Sequence, residues 1–284
     1  MTRFITLALG LIAAAAWSLL TSDHALAWSP ETTPSVTGDW NGLYRSDTDP
    51  QTILPVRMMI TDQVHRRFSG SLLLGDDEDD IEGTIDADNK AHIIGRAAGQ
   101  ATGKRLHKPL IIAKLALEDF GGGAATLDGA MKVRFPDGTT DEGHVVFVRS
   151  FTPQPDRSPP DLRGTFDGSA TSGVDGTELQ IVLEFKGQQG TRLTEGRLAI
   201  LDPRLDEPVS FNVIGTVSPT GEAVLIGLGP AGFVRLDGEY VPAPDGTPRL
   251  IGDYLIRLDL IRMNFTGDDF GGFDLISMNI VRPE

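Results

Sequence analysis

The sequence predicts an all-β protein made of two tandem antiparallel up-and-down β-barrels, about eight strands each, behind an N-terminal apolar segment. Three observations carry this. Short apolar runs rich in β-branched and aromatic residues alternate with Asp-Gly, Gly-Gly and Asp-Asn turn pairs, and no sustained helical period competes with them. Glu82–Gly95 (EGTIDADNKAHIIG) recurs as Ile214–Gly227 (IGTVSPTGEAVLIG), with Gly83/Gly215, Thr84/Thr216 and Gly95/Gly227 in register. That spacing is far beyond the ~20–50 residues of a solenoid repeat and indicates a duplicated domain. Between the copies lies Thr152–Pro160, with prolines at 153, 155, 159 and 160. Such a stretch cannot supply a full ladder of backbone donors and prefers an extended form.

In chain order, Arg3 precedes the apolar run Phe4–Leu20, and Ala25-Leu26-Ala27 forms a small-residue cleavage pattern. Residues 1–27 are therefore expected to be a secretory signal peptide. An uncleaved membrane anchor through residues 4–20 is the alternative, because the run is at the short end of the ~17–25 residues that span a bilayer. Residues 28–37 read as a Pro/Ser/Thr-rich leader, 38–151 as the first barrel, 152–160 as the linker and 161–284 as the second barrel. In the first barrel, strands are expected at the Trp40 segment, Ile53–Ile60, Arg66–Leu74, Ile81–Asp86, Ala91–Arg96, Leu110–Leu117, Ala124–Phe135 and Gly143–Phe151. In the second, Leu179, Ile181, Leu183 and Phe185 alternate with mostly polar neighbours, as in a half-buried strand. Asp161–Phe166 aligns with Asp39–Tyr44 at an offset of 122, which sets Leu162 in the place of Trp40. Beyond Gly95, one alignment pairs Leu127-Asp128-Gly129 with Leu236-Asp237-Gly238 and implies that the second copy has lost a hairpin. A competing one pairs Asp119–Gly122 with Asp269–Gly272. Leu255–Phe265 and Phe273–Val281 read as the last two strands.

Residues 1–27 contain one Arg and one Asp, so the remaining body keeps the formal charge of −15. This acidity argues against nucleic acid and against electrostatic attachment to anionic lipid, and it favours solubility. The absence of cysteine excludes disulfides, thiolate metal sites and thiol catalysis.

The opening Gly38-Asp39-Trp40, the meander of short strands and the closing Val145–Arg149 resemble the calycins, the lipocalin and avidin-like barrels. The resemblance implies that Trp40 and Arg149 form a cation–aromatic pair at the closed end of the first barrel. The chain departs from the lipocalin pattern in having no Thr-Asp-Tyr motif and no disulfide. The fold does not by itself fix a function.

Candidate sites each have a plainer explanation. Asp76–Asp80 offers calcium-binding oxygens without the spaced scaffold that aims them, and reads as a solvated hairpin tip. Asp86–Asn89 starts like a calcium loop, but its twelfth position is Ala97, so turn chemistry accounts for it. Gly227–Gly232 fits a dinucleotide-binding pattern but runs into the strand-like Phe233-Val234-Arg235 rather than a helix. His65, His92, His107 and His144 lack metal-ligand spacing, and Asn264-Phe265-Thr266 is a bare glycosylation sequon. With no nucleophile elbow, paired carboxylate constellation or phosphate loop, the expected class is non-enzymatic, with no cofactor and no bound metal. Two roles fit. One is an exported interaction or scaffold protein with a protein partner, an accessory subunit of a periplasmic or membrane-associated assembly. The other is a carrier of a small apolar ligand in a barrel lumen, with Tyr44 and Met58 lining the cavity. Aromatic residues make up only 7% of the chain, too few to mark a ligand cavity, which favours the first.

Overall fold

A computed structural model of the chain describes residues 33–75, 77–97, 110–134, 138–242, 247–260 and 265–278. The segment 1–27, most of the leader, Asp76, His107 and Asn264 lie outside the described residues. From Pro34 onward the described chain forms one compact unit.

It contains two closed antiparallel barrels, each an eight-stranded meander of calycin-like architecture. The first comprises β1 (Gly38–Ser46), β2 (Ile53–Val64), β3 (Arg67–Leu74), β4 (Asp77–Ile85), β5 (Lys90–Ala97), β6 (Leu110–Gly121), β7 (Ala124–Arg134) and β8 (Thr140–Arg149). The second comprises β9 (Gly164–Ser172), β10 (Glu178–Gln189), β11 (Arg192–Leu201), β12 (Val209–Val217), β13 (Glu222–Gly229), β14 (Gly232–Pro242), β15 (Pro248–Leu260) and β16 (Phe265–Ser277). Pairing of β1 with β8 and of β9 with β16 closes the two sheets. Closure removes the exposed edges that would otherwise template aggregation. Along β10, Leu179, Ile181, Leu183 and Phe185 all point inward and are buried, as their alternation predicts.

The repeated hairpin is β4–β5 and β12–β13, and its turn is built the same way twice. Asp86 Oδ1 accepts from the N–H groups of Asp88 and Lys90, at 2.9 and 2.8 Å. Ser218 Oγ accepts from those of Thr220 and Glu222, at 3.2 and 3.0 Å. Asn89 and Gly221, which correspond, both take positive φ, at 61° and 102°. The turn therefore needs a short side-chain acceptor, followed by a residue that tolerates the left-handed region.

Four sequence expectations are corrected. The first strands align at an offset of 126, not 122: Gly38/Gly164, Gly42/Gly168 and Ser46/Ser172 correspond, and Phe166 takes the place of Trp40. Leu162 takes the place of Val36, and both are fully buried. The second copy has lost no hairpin, since it carries eight strands, with β14 equivalent to β6. Asp119–Gly122 ends β6 and turns, whereas Asp269–Gly272 lies within β16, so the competing alignment fails as well. Finally, the acidic run is not a solvated tip: Asp77–Asp80 belong to β4.

The residues before each barrel are held by the same clasp. Gln63 Oε1 accepts from Val36 N–H at 2.8 Å, while its amide nitrogen donates to the carbonyls of Pro34 and His65. Gln188 makes the matching three bonds, with Leu162, Pro160 and Gly190. His65 and Gly190 share positive φ, at 55° and 58°. One side-chain amide thus fastens an entering segment onto the end of a neighbouring hairpin, and seats Val36 or Leu162 as a stopper under the lumen.

The first barrel meets the second through the outward face of its β1–β8 seam, which packs against the outward face of β12, β13 and β14. Leu43, Val146, Val148 and Phe151 pack against Ile214, Ile226, Leu228 and Phe233 in one buried cluster. Polar bonds fix the contact. Arg45 donates to the Gly229 carbonyl at 3.0 Å, and Phe151 N–H to Thr216 Oγ1 at 3.0 Å. Thr191 Oγ1 donates to the Phe151 carbonyl at 3.1 Å.

Replacing either clasp glutamine by alanine is expected to destabilise the protein by about 1–2 kcal/mol, because it leaves a backbone donor and two carbonyls short of partners. Gln63→Ala and Gln188→Ala should lower the urea midpoint to a similar degree; an effect confined to one would show that the two clasps are not equivalent.

Candidate functional site

The closed end of the first barrel unites Trp40 and Arg149. They are Cα partners across the β1–β8 seam, and Arg149 Cζ lies 5.1 Å from the Trp40 ring centroid. The guanidinium donates to the carbonyls of Gly123 (2.8 Å), Ser35 (2.7 Å) and Thr37 (3.2 Å), and Trp40 Nε1 donates to the Val36 carbonyl at 2.8 Å. Burial lowers the Arg149 pKa, with Asp119 pulling the other way. The pair is a structural plug. In the second barrel Phe166 faces Ser277, not an arginine, across the equivalent seam.

Met58 is fully buried, with Trp40 and Leu72 as its Cα partners, and Tyr44 is 2% exposed; both sit within the packed core. The Tyr44 hydroxyl donates to Asp141 Oδ2 at 2.9 Å. Ser46 and Thr48 donate to the other oxygen of the same carboxylate, at 2.8 and 2.9 Å. The second barrel repeats this arrangement at Asp269, which accepts from Ser172 at 2.9 Å and from Tyr254 at 3.3 Å. Burial and then the aspartate raise both tyrosine pKa values. The tyrosines come from different strands, Tyr44 from β1 and Tyr254 from β15, yet reach equivalent carboxylates. A glycine two residues after each aspartate makes room. A Cβ on Gly143 would lie 2.8 Å from the Tyr44 ring, and one on Gly271 would lie 3.1 Å from the Tyr254 ring. The repeated Asp-x-Gly, Asp141–Gly143 and Asp269–Gly271, is a signal the sequence reading passed over, because the last strands align only at an offset of 128.

The open end of the second barrel is stoppered by the loop between β11 and β12. Arg204 reaches Asp175 and Asp202 at 2.7 Å and Asp269 at 3.4 Å. Asp175 is held down to about 2 by the backbone and hydroxyl of Thr177. Burial alone would raise Asp202, but its bonds to Arg204 outweigh that and lower it. Beneath the stopper, Phe211, Ile256 and their neighbours enclose only about 20 Å³, room for one water. At the open end of the first barrel, Asp79 points inward beside Leu72 and is 3% exposed, with Oδ1 unpaired. Burial, reinforced by Asp77 and Asp80, raises its pKa.

Outside the second barrel lies a recess of about 960 Å³ between β9, β10, β16 and the β11–β12 loop. Among the described residues, six acids line it and no cation does. Asp202 is paired with Arg204 and Asp274 with Arg249. Asp167, Glu178, Asp206 and Glu207 form no ion pair among the described residues. The exposed side chains of Leu201, Ile276 and Met278 stand among them.

Fold and surface together define two tandem eight-stranded antiparallel barrels of calycin-like architecture with external recesses. No protein-family model matches the sequence, and neither does any curated protein. Solved structures that align with it include a protein of unknown function from the DUF3598 family of Nostoc punctiforme. That alignment has 11% identity and a TM-score of 0.25, and covers 87% of this chain and 98% of that one. A candidate outer membrane protein of Bacteroides fragilis aligns with 10% identity and a TM-score of 0.28, over 85% and 97%. The isotype 1 transferrin binding protein B of serogroup B Neisseria meningitidis aligns with 12% identity and a TM-score of 0.12, over 83% and 65%.

Asp79 gives a pH-dependent prediction. Its folded pKa lies above the unfolded carboxylate value of ~4, so the folded state holds this proton more tightly. The contribution to stability is greatest at pH values below the unfolded pKa and is lost as pH rises through the folded one. Asp79→Asn should therefore stabilise the protein by roughly 1 kcal/mol at neutral pH. In denaturant titrations the gain should vanish near pH 3.5; a gain that is independent of pH would contradict this account.

Proposed function

We propose that the protein is an exported, non-enzymatic interaction or scaffold protein, an accessory subunit that docks on a periplasmic or membrane-associated assembly through the outer surfaces of its barrels. The observation that carries this reading is the acidic recess on the second barrel. Unpaired carboxylates surrounding exposed aliphatic side chains suit a partner segment that is basic and partly apolar. The apolar contacts supply affinity, and the charge supplies orientation and encounter rate. The apolar stretch Phe4–Leu20 supports export. A carrier with its ligand in the lumen of the second barrel has less support, because about 20 Å³ beneath Arg204 is far below the ~300 Å³ of a small-ligand site, and in the first barrel Tyr44 and Met58 are themselves part of the buried core.

A photo-crosslinking side chain placed at Ile276, in the recess, should trap a partner in the native cells. The same group at Ile112, exposed on the first barrel, should not. Asp206→Lys with Glu207→Lys should abolish the adduct. Equal trapping from both positions, or trapping that survives the charge reversal, would refute the assignment of the docking face.

A further inference from the structure

A second recess differs from the first in sign. It lies between the barrels, walled by β1 and β2 on one side and by β10, β11 and β12 on the other, and measures about 770 Å³. Arg57, Lys186, Arg192 and Arg197 line it, with Glu195 as the one acid among the described lining residues, while Glu184 stands outside the lining as the Cα partner of Arg197. In a chain of net charge −15 this is a local inversion. The cations are not all consumed by internal partners. Arg57 is bound to Asp39 at 2.7 Å, and Arg192 approaches the same carboxylate only to 3.8 Å. Lys186 and Arg197 form no ion pair among the described residues. Arg192 Nε is buried without a hydrogen-bond partner, and so are both amide atoms of Asn41, a 4% exposed residue in the same wall. Buried polar atoms are normally satisfied, so this concentration of unpaired groups beside Lys186 and Arg197 marks a place built to receive polar atoms. Burial and the neighbouring Arg57 lower the Arg192 pKa, a penalty that an incoming anion would relieve. Apolar side chains, Leu43, Ile53, Pro55 and Ile214 among them, share the wall with the polar Gln189, Thr194 and Asn212.

From this juxtaposition we infer that the cleft between the barrels binds a small anionic amphiphile, a carboxylate or phosphate head on an apolar body of several carbons. The head sits among Lys186, Arg192 and Arg197, and the body lies against Leu43, Ile53 and Ile214. The volume is within the ~300–1,000 Å³ typical of small-ligand sites. A site of mixed lining discriminates by requiring both parts of the ligand, because a neutral chain leaves the cations without a counter-charge and a bare anion leaves the apolar wall wet.

The test is calorimetric titration of the full chain with octyl phosphate, octanoate, octanol and inorganic phosphate, all below micellar concentration. Octyl phosphate and octanoate should bind, and octanol and inorganic phosphate should bind at least tenfold more weakly. Lys186→Glu with Arg197→Glu should weaken octyl phosphate binding at least tenfold, whereas Arg157→Glu, outside the cleft, should leave it unchanged. Octanol binding as tightly as octanoate would overturn the role of charge. Inorganic phosphate matching octyl phosphate would overturn the role of the apolar wall, and no binding by either amphiphile would overturn the site. The probe series on the unaltered chain decides these points even if the double variant is unstable.

Discussion

Each barrel depends on the pairing of its first strand with its last. Without β1 against β8 and β9 against β16, two meanders would expose long edges, and the inward row of each strand would have no lumen to fill. The seam also creates the remaining demands. The closed end beneath it must be stoppered, which the Val36 and Leu162 segments do. The outward face of the first seam is apolar at Leu43, Val146 and Val148, so it must be covered, and the second barrel covers it. Tandem arrangement is thus more than gene duplication preserved in a chain; one copy shields the joint of the other.

Much of this was legible in the residues. Alternation gave the inward rows, turn residues gave the hairpins, and the Glu82–Gly95 repeat located the same hairpin in both copies. Trp40 and Arg149 were expected as a pair only through the resemblance to the lipocalin barrels, not from composition or spacing. What escaped had specific causes. Asp39–Tyr44 and Asp161–Phe166 look alike as strings, but register is set by backbone approach at Gly42 and Gly168. A Cβ there would lie 2.7 and 2.0 Å from carbonyl oxygens of Val146 and Asp274 on the closing strands. The acidic run defeated a composition argument, because a strand with one row facing inward can carry Glu78 and Asp80 outward, leave Asp77 exposed at its first residue, and still bury Asp79. The two tyrosines were not comparable by alignment, since they approach the shared aspartate position from opposite neighbouring strands.

The surface chemistry is sorted rather than uniform. A formal charge of −15 describes the acidic recess well and the inter-barrel cleft not at all, because the cations that line the cleft come from both copies: Arg57 from the first, Lys186, Arg192 and Arg197 from the second. No single barrel contains that field. Net charge governs solubility and long-range encounter, while local arrangement governs what can settle on a given face.

The two clasps change the meaning of the connecting segment. Phe151 is bonded to Thr191 and Thr216 at one end, and Pro160 and Leu162 are bonded to Gln188 at the other. The residues between are pinned at both ends to the second barrel, so this stretch does not act as a tether that sets the distance between two independent bodies. A single protease cut between Gln154 and Ser158 would give two fragments on a denaturing gel and one particle in solution, held by the buried seam rather than by the peptide chain.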